Sequence, residues 1–412
     1  MNGDSNLKPS WWYVRPPQQL MAKIDGVFFL SRQYSKVSLN YRWIIHELKK
    51  KNKKIKIKVI CQKVDNEINE TLRDKQEYAN TLSTIKKMTR QISGAWNYYL
   101  NLHKQMYYIA KSTVVIVDGY NIPISVLKHK KNTTIIQLWH ALAAIKKFGY
   151  QSIGYKDGIN PKMAKIMNMH KNYDYVISGS DEMKKYFAEA FNTPIEKVTS
   201  IGTPYIDYLL KNDNKVKNEI YKKHPELKNK KNIVYSPTFR RDKRDNIEEV
   251  VNNIDLDKYN LIVTYHDKDS SKTKNPKLID CSDITYKSLI KIADYVITDY
   301  SALSVEAAII DTKLLFYVYD VEQYEKENGL NVDLFKEFPE YTSTNIKDLV
   351  NVIEKDNYDM DVLRKFKQKY ASNLQGTSTS LICDIILKNI KEKQPINLNE
   401  MENTYRKTEV TV

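Results

Sequence analysis

Residues able to bind an anion or move a proton recur in this sequence at one kind of place, the end of an apolar run. His140 closes "IIQLWH", Thr203 follows "VTSIG", Thr238 and Arg240 end "IVYSPTFR", His266 ends "LIVTYH", and Asp299, Ser301 and Ser304 follow "YVIT". A histidine near neutrality can take a proton from an attacking hydroxyl or, when protonated, stabilise phosphate charge. Arg240 and Arg241 can hold a diphosphate through charge-assisted hydrogen bonds. The stretch "YVITDYSALSVEAAIIDTKLLFYVYD" reads as strand, loop, helix, strand, and a helix start at Ser301–Ser304 offers unpaired N–H groups to an anion. Asp299 and Ser301 can equally serve as caps for that helix. Together these groups are equipment for phosphoryl or glycosyl transfer from a nucleotide diphosphate donor. No GxxxxGK[ST] motif occurs, so an ATPase of P-loop type is not expected. The other histidines are set aside: His46 and His103 fall on expected helices, and His129, His170 and His224 in basic or loop surroundings.

The elements that must position these groups alternate strand and helix. "GVFFLS", "IKIKVICQ", "TVVIVDG", "NTTIIQLWH" and "YDYVISGS" are expected strands in the first half; "IVYSPTFR", "YNLIVTYHD", "KLIDCSD", "YVITDYS" and "KLLFYVYD" are expected strands or strand ends in the second. Ser180 or Asp181 is the expected cap of the helix "DEMKKYFAEAF". This alternation predicts an α/β architecture in two Rossmann-like halves, with ligands at the C-terminal edges of the strands. The expected boundaries are an extension over 1–24, a first domain over 25–211, a second, nucleotide-binding domain over 212–395, and a tail over 396–412. A long helix is expected over 77–111 in the first domain. If both sheets aim their C-terminal edges at one cleft, the polar residues converge there.

A formal net charge of +16 and a pI near 9.3 suggest an anionic partner, with nucleic acid, a membrane surface and phosphorylated substrates as candidates, although lysine runs such as "KKKNKKIKIK" are more often simply solvated surface. A non-catalytic basic module would explain the charge but not the polar residues at strand ends in both halves, so nucleic acid is not the expected partner. The 77–111 helix mixes Lys86, Lys87, Arg90 and Lys104 with Trp96, Tyr98, Tyr99, Met106 and Tyr107, a composition suited either to an interfacial helix or to a core helix with an aromatic stripe. Trp11, Trp12 and Tyr13 form a second candidate anchor. Cys61, Cys281 and Cys383 are widely spaced and show no CxxC pattern, so neither a disulfide framework nor a zinc site is expected. No clustered carboxylates suggest a divalent site. The N-terminus lacks a signal-type apolar core, and no segment approaches the roughly 20 apolar residues of a spanning helix.

The segments "VFFLSRQYSKVSLNYRWIIHELKKK", "IIQLWHALAAIKKFGYQS", "YVISGSDEMKKYFAEAF", "IGTPYIDYLL", "YSPTFRR", "ITDYSALSVEAAIIDTKLLFYVYD" and "NGLNVDLFKEFP" keep a recognisable order. Together they resemble the CDP-glycerol glycerophosphotransferase family, the enzymes that prime and polymerise wall teichoic acid. The likeness runs from about Val27 to Leu387. It implies a GT-B-like fold, two Rossmann-type domains facing a central cleft, with the nucleotide in the C-terminal one. It also implies transfer of a polyol phosphate from CDP-glycerol or CDP-ribitol to a hydroxyl of an undecaprenyl-diphosphate-linked saccharide or polyol-phosphate chain, with CMP leaving and no further cofactor. By motif position, His140 would be the general base and His266 would contact donor phosphate. Thr238 and Arg240 would line the nucleotide pocket, and Ser301 and Ser304, beside Asp299, would bind the diphosphate. A lipid-linked acceptor would bring the enzyme to the cytoplasmic face of the cell membrane as a peripheral protein on anionic lipid. Four departures are visible: "HALAAIKK" stands where "HGTPLK" is usual, Tyr205 where arginine is common in "GxPRxD", Glu306 where aspartate is usual, and "YHDKD" where a more proline-rich strand end is usual. A GT-B glycosyltransferase using a nucleotide sugar is the alternative, and it would release a nucleoside diphosphate.

Overall fold

The apolar runs form two all-parallel sheets in a computed structural model that describes residues 24–62, 99–156, 158–211, 214–238, 240, 246–264, 275 and 277–392. In the first sheet, β1 (Ile24–Ser31), β2 (Lys56–Cys61), β3 (Ser112–Val117), β4 (Thr134–Gln137), β5 (Tyr175–Ile177) and β6 (Val198–Thr199) lie in the order β2-β1-β3-β4-β5-β6. In the second, β7 (Lys231–Ser236), β8 (Tyr259–Val263), β9 (Tyr295–Thr298), β10 (Lys313–Tyr317) and β11 (Thr342–Ser343) lie in the order β11-β10-β9-β7-β8. The strand "STVVIV" is buried at every position, as expected of a parallel strand covered by helices on both faces. β-branched residues suit that role, since their side chains pack well on a pleated surface. The result is the GT-B-like pair of doubly wound halves that the sequence pattern implies.

Strand order reverses between β1 and β3 in the first sheet and between β7 and β9 in the second. Neighbouring strands there send their connections to opposite faces, which opens a crevice at their C-terminal ends. Ser31 and Asp118 stand at the first crevice; Thr238 and Asp299 stand at the second.

Two elements differ from expectation. "KLIDCSD" forms turns rather than a strand: its apolar run is short, and Asp280 accepts a 2.9 Å hydrogen bond from the Ser282 N–H. The helix Ser378–Glu392, inside the stretch expected to belong to the second domain, packs on the first sheet. Its Leu381, Ile382, Ile385 and Ile386 join Phe29, Ile44, Val114 and Ile116 in one core. Sequence periodicity shows that such a helix has an apolar face but not which sheet it covers. Asp207, in the "GTPYIDYLL" segment, anchors it by accepting from the Ser378 N–H (3.1 Å), the Thr379 N–H (2.7 Å) and the Thr379 hydroxyl (2.6 Å). Of the expected 77–111 helix, residues 77–98 lie outside the described residues and 99–111 are helical. Gln105, Ile109 and Ala110 are buried, whereas Tyr99, Leu100 and Tyr107 are exposed.

The halves are also stitched together near His140. Lys146 bridges Leu330 in antiparallel fashion, the Lys147 N–H donates to the Gly329 carbonyl (3.0 Å), and the Asn331 N–H donates to the Ile145 carbonyl (2.9 Å). The Asn331 side chain adds bonds to the Ala144 carbonyl (3.0 Å) and to Gln151 (3.0 Å). Gly329 has φ +73°, a conformation that other residues adopt only under strain, and a Cβ there would also push on the Lys147 and Tyr155 side chains.

Candidate active site

His140 follows β4 on a turn that the backbone adopts at a cost. Trp139 has φ 56°, a conformation rare for a bulky residue. Gln137 holds it there: its side-chain carbonyl accepts from the Trp139 N–H (2.9 Å) while its amide donates to the Gly119 carbonyl (3.1 Å). The Trp139 ring stacks on Phe148 at 4.8 Å and packs edge-on against Phe191 at 5.2 Å. The kink therefore delivers the next residue to the crevice on a rigid support.

The Nδ1 atom of His140 lies 3.4 Å from the Asp118 carbonyl. A carbonyl can only accept, so Nδ1 carries the proton and Nε2 is left with its lone pair. Burial among protein atoms lowers the imidazole pKa from 6.5 to about 4, opposed by the Asp118 carbonyl and assisted by the Lys287 and Lys146 charges. The residue also keeps contact with water, which tempers that shift. His140 is thus a neutral imidazole with a vacant nitrogen, the state a general base requires.

Two groups absent from the sequence-derived set surround it. Asp118 is buried, and neither carboxylate oxygen closes a hydrogen bond with a described residue. Burial pushes its carboxyl from 3.8 up to about 6, against the downward pull of the nearby Ser31 hydroxyl and the backbone N–H groups of Asp118 and Arg32. His170 is buried 5.9 Å from the Trp139 ring, with Nδ1 3.0 Å from the Tyr173 hydroxyl. Burial, then the neighbouring His140, pulls its pKa down to about 3. Asp118 carried the same signal as His140, since it ends the apolar run "TVVIV"; nothing local marks His170.

At the second crevice the expected residues meet. Asp299 accepts from the Thr238 N–H (2.9 Å), the Thr238 hydroxyl (2.6 Å) and Arg240 Nη1 (2.6 Å). Arg240 also donates from Nε and Nη2 to Asp320 (2.8 and 2.9 Å) and from Nη1 to the Thr238 carbonyl (2.5 Å). Its guanidinium lies 5.1–5.6 Å from the ring centres of Tyr300, Tyr319 and Tyr324. The guanidinium is therefore committed to two buried carboxylates, and its direct task is to shape the Thr238 loop. Asp320 ends the run "KLLFYVYD", another strand end the sequence displays.

Ser301 and Ser304 occupy the turn before the helix Leu303–Ile309. The Ser301 hydroxyl accepts from the Leu303 N–H (3.2 Å), and the Ser304 hydroxyl, fully buried, donates to the Ser301 carbonyl (2.9 Å). Ala302 occupies the N-cap position and makes no side-chain bond; Ser301, one residue earlier, satisfies the N–H of the first helical residue, while Asp299 bonds to the Thr238 loop instead. His266 lies outside the described residues.

The two departures at Tyr205 and Glu306 meet each other across the halves. The Tyr205 hydroxyl donates to Glu306 at 3.0 Å, and the Lys287 amine lies 3.8 Å from Glu306 and 4.0 Å from the Tyr205 ring centre. Burial raises the Glu306 pKa, while Lys287 and Tyr205 hold it down.

A conserved-family profile described as CDP-Glycerol:Poly(glycerophosphate) glycerophosphotransferase matches residues 17–388. The chain belongs to that family. This transferase is 30% identical over 320 residues to a teichoic acid ribitol-phosphate primase of Bacillus spizizenii, covering 73% of its own length and 82% of the relative. It is 28% identical over 298 residues to a teichoic acid glycerol-phosphate primase of Bacillus subtilis, covering 70% and 76%. The solved structure of the wall teichoic acid polymerase TagF superposes with a TM-score of 0.65 at 21% identity, covering 90% of each chain, which shows that the transferase shares its fold.

Proposed function

We propose that this enzyme transfers a polyol phosphate from CDP-glycerol or CDP-ribitol to a hydroxyl of a lipid-linked teichoic acid precursor or chain. The observation that supports this reading is a neutral, Nδ1-protonated His140 on a loop that is bridged to the second half, together with the bonded Thr238–Arg240–Asp299 loop at the second crevice. The acceptor oxygen attacks the phosphorus that bears the polyol, and the bond from that phosphorus to the bridging oxygen breaks. CMP leaves with the bridging oxygen and the bonding pair, while the hydroxyl proton passes to Nε2 of His140. The Thr238 loop, the Ser301–Ser304 turn and His266 hold the donor.

The acceptor we propose is an undecaprenyl-diphosphate-linked saccharide or its polyol-phosphate-extended form, reached from the cytoplasmic leaflet. No helix among the described residues is long and apolar enough to cross a membrane, so the contact proposed is peripheral. Incubation with each CDP-polyol and a lipid-linked disaccharide, with and without a glycerol-phosphate primer, tests the reading by CMP release and product mass. Release of a nucleoside diphosphate from a nucleotide sugar, with no CMP from either CDP-polyol, would replace it with sugar transfer.

A further inference from the structure

A phosphoryl group in transit between leaving and attacking oxygens carries negative charge that a positioned cation stabilises. Among the described residues, several cations of the two crevices and their flanking loops already have partners. Arg240 lies between Asp299 and Asp320, Lys287 lies beside Glu306, Lys147 donates to the Tyr155 hydroxyl (2.7 Å), and Arg32 donates to the Tyr120 carbonyl (3.3 Å). Lys146 is different. It is exposed, and no described residue hydrogen-bonds or ion-pairs with its ammonium. It stands on the same loop as His140; the protein atoms packed around its ammonium lower its pKa from 10.5, Asp299 of the second half opposing that shift and Arg240 adding to it, and its charge in turn lowers the His140 pKa. Its backbone is fixed by the antiparallel bridge to Leu330 and by the flanking bonds from Asn331 to Ile145 and from Lys147 to Gly329. The opposite half thus fixes the backbone from which the side chain extends, and leaves the ammonium free to meet a ligand.

We infer that Lys146 is a substrate-contacting residue that holds the polyol-bearing phosphate of the donor at the boundary between the halves. This deepens the transfer reading and rests on it. The ammonium balances charge on the non-bridging oxygens as the bridging P–O bond breaks; it exchanges no proton, which goes to His140. Because the same loop carries base and cation, and the second half clamps that loop, correct docking of the halves sets the distance between the attacking hydroxyl and the phosphorus.

The test is donor titration by calorimetry with CDP-glycerol, CDP-ribitol, CMP and cytidine, together with single-turnover CMP release, on wild type, Lys146→Met and Lys146→Arg. Lys146→Met should bind the productive CDP-polyol about tenfold or more weakly, bind cytidine as wild type does, and release CMP about a hundredfold or more slowly. Lys146→Arg should recover part of both losses. Equal donor affinity and turnover in wild type and Lys146→Met would overturn the assignment and leave polyol-phosphate transfer standing. A loss of cytidine binding as large as the loss of donor binding would also overturn it, since that marks a structural role. Wild type that binds neither CDP-polyol and releases no CMP would remove the transfer reading and this inference together.

Discussion

His140 and Asp118 share one carbonyl-anchored corner, and their titrations lead to opposite expectations. With Nδ1 tied to the Asp118 carbonyl and its pKa below 6.5, His140 is already a free base at pH 7. The acid limb of kcat/KM should therefore lie below pH 6.5, with the rate level through neutrality; a limb centred at pH 7 or above contradicts the tautomer argument. His140→Ala should lower turnover by roughly two to four orders of magnitude while leaving donor affinity nearly intact. Asp118 has a raised folded pKa, so the folded state keeps a proton that the unfolded state has lost once pH passes about 4. Stability contributed by the protonated form is fully present below pH 3.8 and is lost as pH rises to about 6. A shift of that size corresponds to about 3 kcal/mol. Asp118→Asn should accordingly raise the melting temperature at pH 7.5, with the gain fading toward pH 4. An equal gain at both pH values would mean that charge is not the cause.

At the scale of elements, the loop after β7 and the turn after β9 behave as one unit joined by Arg240. Its side chain and those of Asp299 and Asp320 are 6%, 2% and 9% exposed, so each charge depends on the others for solvation. Removing one partner of such a buried group typically costs about 3–5 kcal/mol because it strands the remaining charges. Arg240→Ala should lower stability by that order in a thermal or urea melt and should disorder the Thr238 loop, weakening CDP-polyol binding through shape rather than through a lost contact. A variant that melts like wild type yet binds donor poorly would instead place the guanidinium on the nucleotide. The sequence made these two elements legible because "SPTFR" and "TDYS" each end a buried run, and a parallel sheet exposes only its edges to ligand. It could not show that Arg240 reaches Asp320, which depends on how the β10 end lies beside the β9 end. The same limit explains the helix Ser378–Glu392: an apolar face needs a sheet to cover, but only packing selects which sheet. Trp139 at φ 56° was equally hidden, because the side chains that hold it, Gln137, Phe148 and Phe191, come from three separate segments.

For the whole molecule, a charge of +16 is far more than the two crevices consume, and a lipid-linked acceptor offers an account of the rest. Anionic lipids at the cytoplasmic leaflet attract basic surface by about 1 kcal/mol for each well-placed lysine, and aromatic side chains lodge at the headgroup level. The described part of the 99–111 helix divides its faces accordingly. Gln105, Ile109 and Ala110 face the core and Tyr108 packs 5.6 Å from Phe28, while Tyr99, Leu100, His103, Lys104 and Tyr107 are exposed. Core packing and interfacial contact, alternatives for the aromatic stripe when only the sequence is considered, are thus compatible on opposite faces of one helix. Flotation with liposomes separates a membrane-seeking surface from a merely basic one. The chain should float with vesicles containing anionic lipid at low salt, release as salt rises because exposed charges are screened within about 10 Å at 0.1 M, and stay unbound with neutral vesicles. Changing Lys86, Lys87 and Arg90 to glutamate should abolish flotation while CMP release with a water-soluble acceptor analogue persists. Should wild type fail to float with anionic vesicles at low salt, the surplus charge would have to serve the anionic donor and polymer instead, and the exposed tyrosines would need another partner.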